Sequence, residues 1–164
     1  MLVVSNTSPV MNLAVVDLLS LLREQFGEVV VPAGVIEELR LDTDYPGTEK
    51  LRQAISEGWL RQETAENQQL ILALKRELDN GEAEAIALAL QLKAELLLMD
   101  ERDGRSVAKS MGLNPIGIIG VLVRAKQVGT IQSVREVLAR LRNEAGFYIA
   151  DNLMERILSE VGES

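Results

Sequence analysis

The sequence predicts an α/β domain built on a parallel sheet, and three observations support this. Short apolar or β-branched runs alternate with segments of helical periodicity over the first two thirds of the chain. The run Leu96–Asp100 lies between two helical patterns and is apolar up to its final carboxylate, which is typical of a strand buried on both faces. After residue 116 only helical patterns follow, so extra helices are expected at the C-terminal end.

The individual elements are predicted from apolar spacing and from capping residues. Up to residue 41 they are strand Leu2–Ser5, helices Val10–Val16 and Asp17–Phe26, strand Glu28–Val31 and a helix over 33–41. From there they are helix Thr48–Glu57, strand Trp59–Glu63, helices Glu66–Leu78 and Glu82–Lys93, strand Leu96–Asp100, helix Gly104–Met111, strand Leu113–Ile116 and helices Gly117–Val128, Ser133–Ala145 and Ala150–Val161. Asp17 is the predicted N-cap of its helix. No repeat or linker interrupts the chain, so residues 1–164 are predicted to form one domain.

The composition narrows the chemistry that this chain is able to perform. With no cysteine and no histidine, it lacks disulfides, thiol nucleophiles, Cys/His zinc sites and Ser-His-Asp triads. Aromatic residues make up only 3%, which argues against base-stacking platforms, and the net charge of -8 argues against broad non-specific binding to nucleic acid. We expect a cytoplasmic protein with neither a membrane span nor a signal peptide.

Acidic or amide side chains occur at strand ends or in the first turns of the following helices at four places. They are Asn6; Glu37 and Glu38; Glu82 and Glu84; and Asp100 and Asp103. If the strands are parallel neighbours, their carboxyl ends share one edge of the sheet, where ligands bind in such folds. Clustered carboxylates repel one another unless a cation neutralises them, so the pattern predicts a Mg²⁺ or Mn²⁺ site. Such a site favours phosphodiester hydrolysis.

Each acid also has a purely structural interpretation. Glu82 and Glu84 near a helix N-terminus are favoured by the helix dipole alone. Asp103 could cap the helix that starts at Gly104, and Asp100 could simply begin a turn. The coincidence of four such positions favours a common site, particularly because the helix that begins with Glu82 is otherwise apolar.

Several motifs, taken in order and spacing, resemble the PIN-domain family, in particular a prokaryotic branch similar to the VapC-like toxin nucleases. These motifs are Val3–Pro9, Val31–Pro32 with Glu37–Leu39, Gly81–Ile86, Leu97–Asp100 with Gly104–Arg105, and Gly117–Leu122 with Arg124–Lys126. The resemblance covers nearly the whole chain. It implies a three-layer Rossmann-like parallel sheet, metal-dependent ribonuclease chemistry, frequent homodimers and a small antitoxin protein that inhibits the enzyme.

By position, the resemblance also implies which residues form the site. The catalytic and metal-binding set falls on Asn6, Glu38, Glu82 and Asp100, with Asp103 as an optional further ligand. Glu84 is the alternative to Glu82, and the Ser8 hydroxyl would support the first position. For RNA, the expected phosphate contacts are Arg102, Arg105 and Lys109, whose helical spacing fits a solvated face equally well.

Asn6 departs from the family pattern, which usually has aspartate at this position. An amide oxygen can ligate Mg²⁺, but it brings no negative charge and is a poor base. Two hypotheses follow: a Mg²⁺/Mn²⁺-dependent endoribonuclease, or a catalytically weakened PIN-like module that binds RNA or protein. A phosphoacceptor receiver domain ranks third, because the chain lacks paired acids after its first strand.

Overall fold

The computed structural model describes residues 1–164, and its architecture is a five-stranded parallel sheet with helices on both faces. The strands are β1 Val3–Ser5, β2 Val29–Val31, β3 Leu60–Gln62, β4 Leu96–Leu98 and β5 Pro115–Ile116, in the spatial order β3-β2-β1-β4-β5. The helices are α1 Thr7–Val15, α2 Ser20–Phe26, α3 Ala33–Leu39, α4 Thr48–Ser56, α5 Gln68–Leu74, α6 Asn80–Leu92, α7 Arg102–Ser110, α8 Ile118–Gln127, α9 Val134–Ala145 and α10 Asp151–Glu160. The predicted fold class is therefore confirmed. None of these helices combines the length and the apolar character needed to cross a membrane.

The strands divide the core in two because successive side chains point to opposite faces of a sheet. Val3 and Leu98 belong to the larger cluster, which contains residues of α1, α4, α8 and α9. Val4, Leu97 and Met99 belong to the smaller cluster, which is built mainly on α6. This alternation also decides to which side the residues beyond each strand are directed.

Several predicted boundaries differ from the structure for local reasons. Asp17 is not a helix cap: it has a positive φ of 57°, and α2 begins only at Ser20. The helix predicted over Glu66–Leu78 is limited to α5, where the Asn67 side chain accepts a hydrogen bond from Leu70 N–H at 3.1 Å. The helix predicted from Gly104 already begins at Arg102.

In the sequence, the helices predicted over Val10–Val16 and Asp17–Phe26 carry more apolar surface than one small sheet can cover, which predicts a homodimer that uses this surface. In the structure α1 packs against α4 and α9, and α2 packs against α8. Val10, Leu13 and Leu22 are completely buried within the single chain. The apolar surface on these two helices therefore no longer argues for a second copy.

Candidate active site

The first residue of the site is Asn6, directly beyond β1. Strands β1 and β4 are parallel neighbours, with Ser5 opposite Leu98. Asn6 N–H donates to the Leu98 carbonyl at 3.0 Å, which extends the strand pairing by one bond. The side chain is held inside the protein, since only 2% of the residue is exposed. Asn6 thus begins helix α1 at the edge of the sheet where the carboxyl ends of β1 and β4 meet.

The Asn6 amide contacts Glu101, a residue that the sequence patterns did not single out. Asn6 Nδ2 donates to Glu101 Oε2 at 3.0 Å, and Ser8 Oγ donates to Glu101 Oε1 at 2.7 Å. Both carboxylate oxygens are therefore oriented by residues at the start of α1. Ser8 was expected to support the first position, Asn6, but its hydroxyl donates to Glu101 instead.

Glu38 reaches the same place from helix α3. Its Oε2 accepts a hydrogen bond from Thr7 Oγ1 at 3.1 Å. Its Oε1 lies directly against Gly81 Cα, where a Cβ would collide with it, and Asn6 Oδ1 would be 3.3 Å from the same Cβ. The missing side chain at Gly81 therefore allows an acid and an amide oxygen to approach each other.

Glu82 is held by a capping box at the start of α6. Its Oε1 accepts from Asp79 N–H at 3.1 Å, while Glu82 N–H donates to Asp79 Oδ1 at 2.8 Å. Its other oxygen lies 3.0 Å from the position of a Cβ on Gly104, in helix α7. Glu82 can therefore serve both as a helix cap and as a site residue, because the cap fixes one oxygen while the other faces α7.

Glu84 has a different environment. Its Oε1 accepts from Gly34 N–H at 3.2 Å and its Oε2 from Asn80 Nδ2 at 2.5 Å, so it joins α6 to α3. Of the two registers left open by the sequence, the structure favours Glu82. We refer to Asn6, Glu38, Glu82 and Glu101 together as the acidic crevice.

Asp100 forms no hydrogen bond with the residues of the acidic crevice. Its Oδ1 accepts from Ile118 N–H at 2.8 Å, while its buried Oδ2 has no partner. Burial and, to a lesser degree, repulsion from Glu101 raise the pKa of Asp100 to about 6, in spite of the bond from Ile118 and the nearby charge of Arg105. The reason is strand alternation: Asp100 follows Leu98 toward the larger core, whereas Glu101 follows Leu97 and Met99 toward α6. That alternation was the available sequence signal for Glu101.

The negative charges of the acidic crevice are not balanced by paired cationic side chains. None of its carboxylates forms a salt bridge. Loss of water raises the pKa of Glu38, although part of this side chain is exposed. The Thr7 bond opposes this increase, whereas repulsion from Asp79, Glu101 and Glu84 adds to it. Burial likewise raises the pKa of Glu82, and Asp79, Glu101 and the exposed Asp103 add to it.

The donor set fits a hard divalent cation. Carboxylate and amide oxygens are the ligands that Mg²⁺ and Mn²⁺ prefer, and an uncompensated acidic cluster is stabilised by such an ion. No three acidic side chains converge closely enough to form a finished metal site. Binding therefore requires the side chains to move together, and the partly exposed Glu38 has room to do so.

The predicted RNA contacts lie on α7. Arg102 and Arg105 line a cavity of about 790 Å³ beside the crevice, and Arg105 Nη1 also donates to the Met99 carbonyl at 3.1 Å. Lys109 is exposed further along the helix and does not line the cavity. Lys126, also noted in the sequence, pairs instead with Glu163 at 3.4 Å.

Comparison with known proteins agrees with this architecture. The family profile DUF3368, described as a PIN domain, matches residues 2–163. Among solved structures, a PilT N-terminus domain protein from the hyperthermophilic archaeon Sulfolobus solfataricus P2 is similar, with a TM-score of 0.56 and 20% sequence identity. The match covers 76% of this chain and 93% of that one, and it supports the fold alone. No curated protein sequence matches the chain.

Proposed function

Because the chain belongs to the PIN-domain family, whose members are commonly metal-dependent nucleases, we propose that it is a Mg²⁺- or Mn²⁺-dependent endoribonuclease. The observation that carries this proposal is the acidic crevice. Three carboxylates approach one edge of a parallel sheet without any cationic side chain to balance them. Structural carboxylates are normally paired or solvated, so an uncompensated half-buried group favours a functional role.

In this proposal Glu38, Glu82 and Glu101 hold the cation, with the Asn6 amide oxygen as a neutral fourth donor. When bound, the cation would polarise a phosphate oxygen and lower the pKa of a water molecule. The Asn6 and Ser8 side chains orient Glu101, and the capping box orients Glu82. Glu38, with its raised pKa, is suited to accept the proton of the attacking water.

A paired substitution tests this assignment, because Glu101 and Asp100 are chain neighbours with opposite surroundings. Labelled single-stranded RNA is incubated with wild type, Glu101→Gln and Asp100→Asn, in Mg²⁺, Mn²⁺ or EDTA. We expect metal-dependent cleavage that Glu101→Gln abolishes and that Asp100→Asn reduces far less. Cleavage that persists in EDTA, or that survives Glu101→Gln, contradicts the proposed site.

A second candidate is a non-catalytic module that binds RNA or a partner protein. It is favoured by Asn6, whose amide donates to Glu101 where an aspartate would bring a further charge. The same assay decides, since this candidate predicts RNA binding without cleavage in any metal.

Two proposals on partners also remain. One is a homodimer, for which light scattering should give twice the chain mass.

The other is a small antitoxin-type protein that covers the acidic crevice. Co-expression with neighbouring genes tests it, and Glu38→Arg, which reverses one exposed charge, should weaken the complex. Failure of every neighbour to bind favours a stand-alone protein.

A further inference from the structure

A second site lies next to the acidic crevice. The cavity of about 790 Å³ is enclosed by the end of β5, the start of α8 and the segment 147–150 between α9 and α10. Its volume is in the range of sites for small organic ligands. Asp100 and Arg102 line it, whereas Glu101 between them contacts Asn6 and Ser8 in the crevice. A ligand bound here would therefore be adjacent to the crevice.

The wall of this cavity is apolar and aromatic. Phe147 and Tyr148 are two of only five aromatic residues in the chain, and both line it together with Ile116, Ile119 and Leu153. The low aromatic content argues against a stacking platform in general, yet two of the few rings lie together at this one cavity. Tyr148 is 67% exposed, and the Arg142 guanidinium lies 5.2 Å from its ring centre. The ring is thus held by a cation–π contact while it remains accessible.

The same cavity carries cationic and hydrogen-bonding groups. Neither Arg102 nor Arg105 forms a salt bridge, although the chain as a whole has a net charge of -8. Asp100 contributes a buried Oδ2 that lacks a partner in the protein. Such an atom is rare in a folded protein and is relieved by a ligand that brings an N–H donor. An aromatic ring, unpaired arginines and an acceptor are together the groups that recognise a nucleotide.

We propose that this cavity is a nucleobase subsite, in which one unstacked base of single-stranded RNA lies against Tyr148 while Arg102 and Arg105 contact flanking phosphates. The proposal rests on the ribonuclease function, because a base bound here would hold the strand at the same edge of the sheet as the acidic crevice. Base–aromatic stacking is tolerant of sequence, whereas contacts to the base edge discriminate. The subsite thus predicts a preference for single strands over duplexes.

The test is direct RNA binding in EDTA, where metal-dependent cleavage is absent. Fluorescence anisotropy is measured with a labelled eight-nucleotide single-stranded RNA and with an abasic chain of equal length. The variants are Tyr148→Ala and the control Tyr45→Ala, which removes the other exposed tyrosine outside the cavity. We expect Tyr148→Ala to weaken RNA binding by roughly 5- to 150-fold, the equivalent of about 1–3 kcal/mol per stacked base. Binding of the abasic chain should not change.

Arg102→Ala should weaken binding of both chains, because the phosphates are common to them. The subsite proposal is wrong if Tyr148→Ala binds RNA as tightly as Tyr45→Ala does, or if it weakens binding of the abasic chain equally. A protein ligand would then suit the surface better.

A parallel cleavage assay in Mn²⁺ separates the subsite proposal from the nuclease proposal. Cleavage by wild type without a Tyr148 effect on binding overturns the subsite alone. Tyr148-dependent binding without cleavage overturns the nuclease alone, and absence of both RNA binding and cleavage overturns both.

Discussion

Glu163 near the C-terminus and the glutamates of the acidic crevice carry the same charge in opposite surroundings. Burial opposes ionisation of Glu163, but it accepts bonds from Val134 N–H, Arg135 N–H and Ser133 Oγ and pairs with Lys126, and these contacts lower its pKa to about 2. Glu163 caps helix α9 and ties the end of the chain to it. Glu38 and Glu82 instead have raised pKa values and no cationic partner. The partners of an acidic side chain thus indicate whether its role is structural or functional better than the number of nearby acids does.

The strongest test of this contrast is activity. Glu82→Gln keeps an oxygen that can accept from Asp79 N–H, so α6 stays capped, but it removes a proposed metal ligand. We expect RNA cleavage to fall by at least about 100-fold, on the order of 3 kcal/mol in the activation barrier. Glu163→Gln should cleave RNA as wild type does. Equal activity of Glu82→Gln and wild type would mean that the crevice is not catalytic.

Asn6→Asp should sharpen the contrast, since it replaces a donor to Glu101 with a fourth negative charge. By Coulomb's law the added repulsion at about 4 Å costs about 1–4 kcal/mol for a dielectric constant between bulk water and about 20. We expect a lower melting temperature without metal, tighter Mn²⁺ binding by calorimetry and greater nuclease activity. Asn152→Asp is the control, because it adds a charge at an exposed position of α10, away from the crevice. If Mn²⁺ stabilises both variants equally, the crevice is not a specific metal site.

The fold was largely predictable because its signals are local. Buried parallel strands such as Leu96–Leu98 are apolar runs, and Asp79 and Glu82 form a cap that is visible in sequence. The pair Asn6 and Glu38 was also predictable, because both follow strands. Glu101 was not predicted because Asp100 is the first acid after β4. Alternation along the extended chain, which directs Asp100 and Glu101 to opposite sides, distinguishes the two. The cavity was not predictable, since it brings Tyr148, from the segment between α9 and α10, together with residues of β5 and α8.

Asp100 extends the comparison to an acid that is neither paired nor in the crevice. Burial raises its pKa from 3.8 to about 6, so the folded state binds the proton more tightly than the unfolded chain does. Stability from this group is present below pH 3.8 and is lost as the pH rises to about 6. Asp100→Asn keeps an acceptor for Ile118 N–H and removes that loss. We expect up to about 3 kcal/mol of added stability above pH 6, and no difference near pH 3, in urea denaturation series. A variant less stable than wild type at pH 7 would show that the Asp100 charge is compensated.

The smallest expected effect concerns Glu163 and has the opposite sign. Its pKa is lowered from 4.5 to about 2, so the unfolded chain binds the proton more tightly and the charge stabilises the folded state above pH 4.5. Glu163→Gln keeps one acceptor for the N–H groups of α9 but loses the charge beside Lys126. We expect it to be about 1–2 kcal/mol less stable than wild type at pH 7, since the group is partly screened by solvent. The difference should shrink as the pH falls from 4.5 toward 2. Glu160→Gln, an exposed acid on α10, is the control and should match wild type throughout. If the loss of stability in Glu163→Gln persists unchanged at pH 2, packing and neutral hydrogen bonds, rather than charge, hold the C-terminus against α9. The contrast with the crevice would then not be electrostatic.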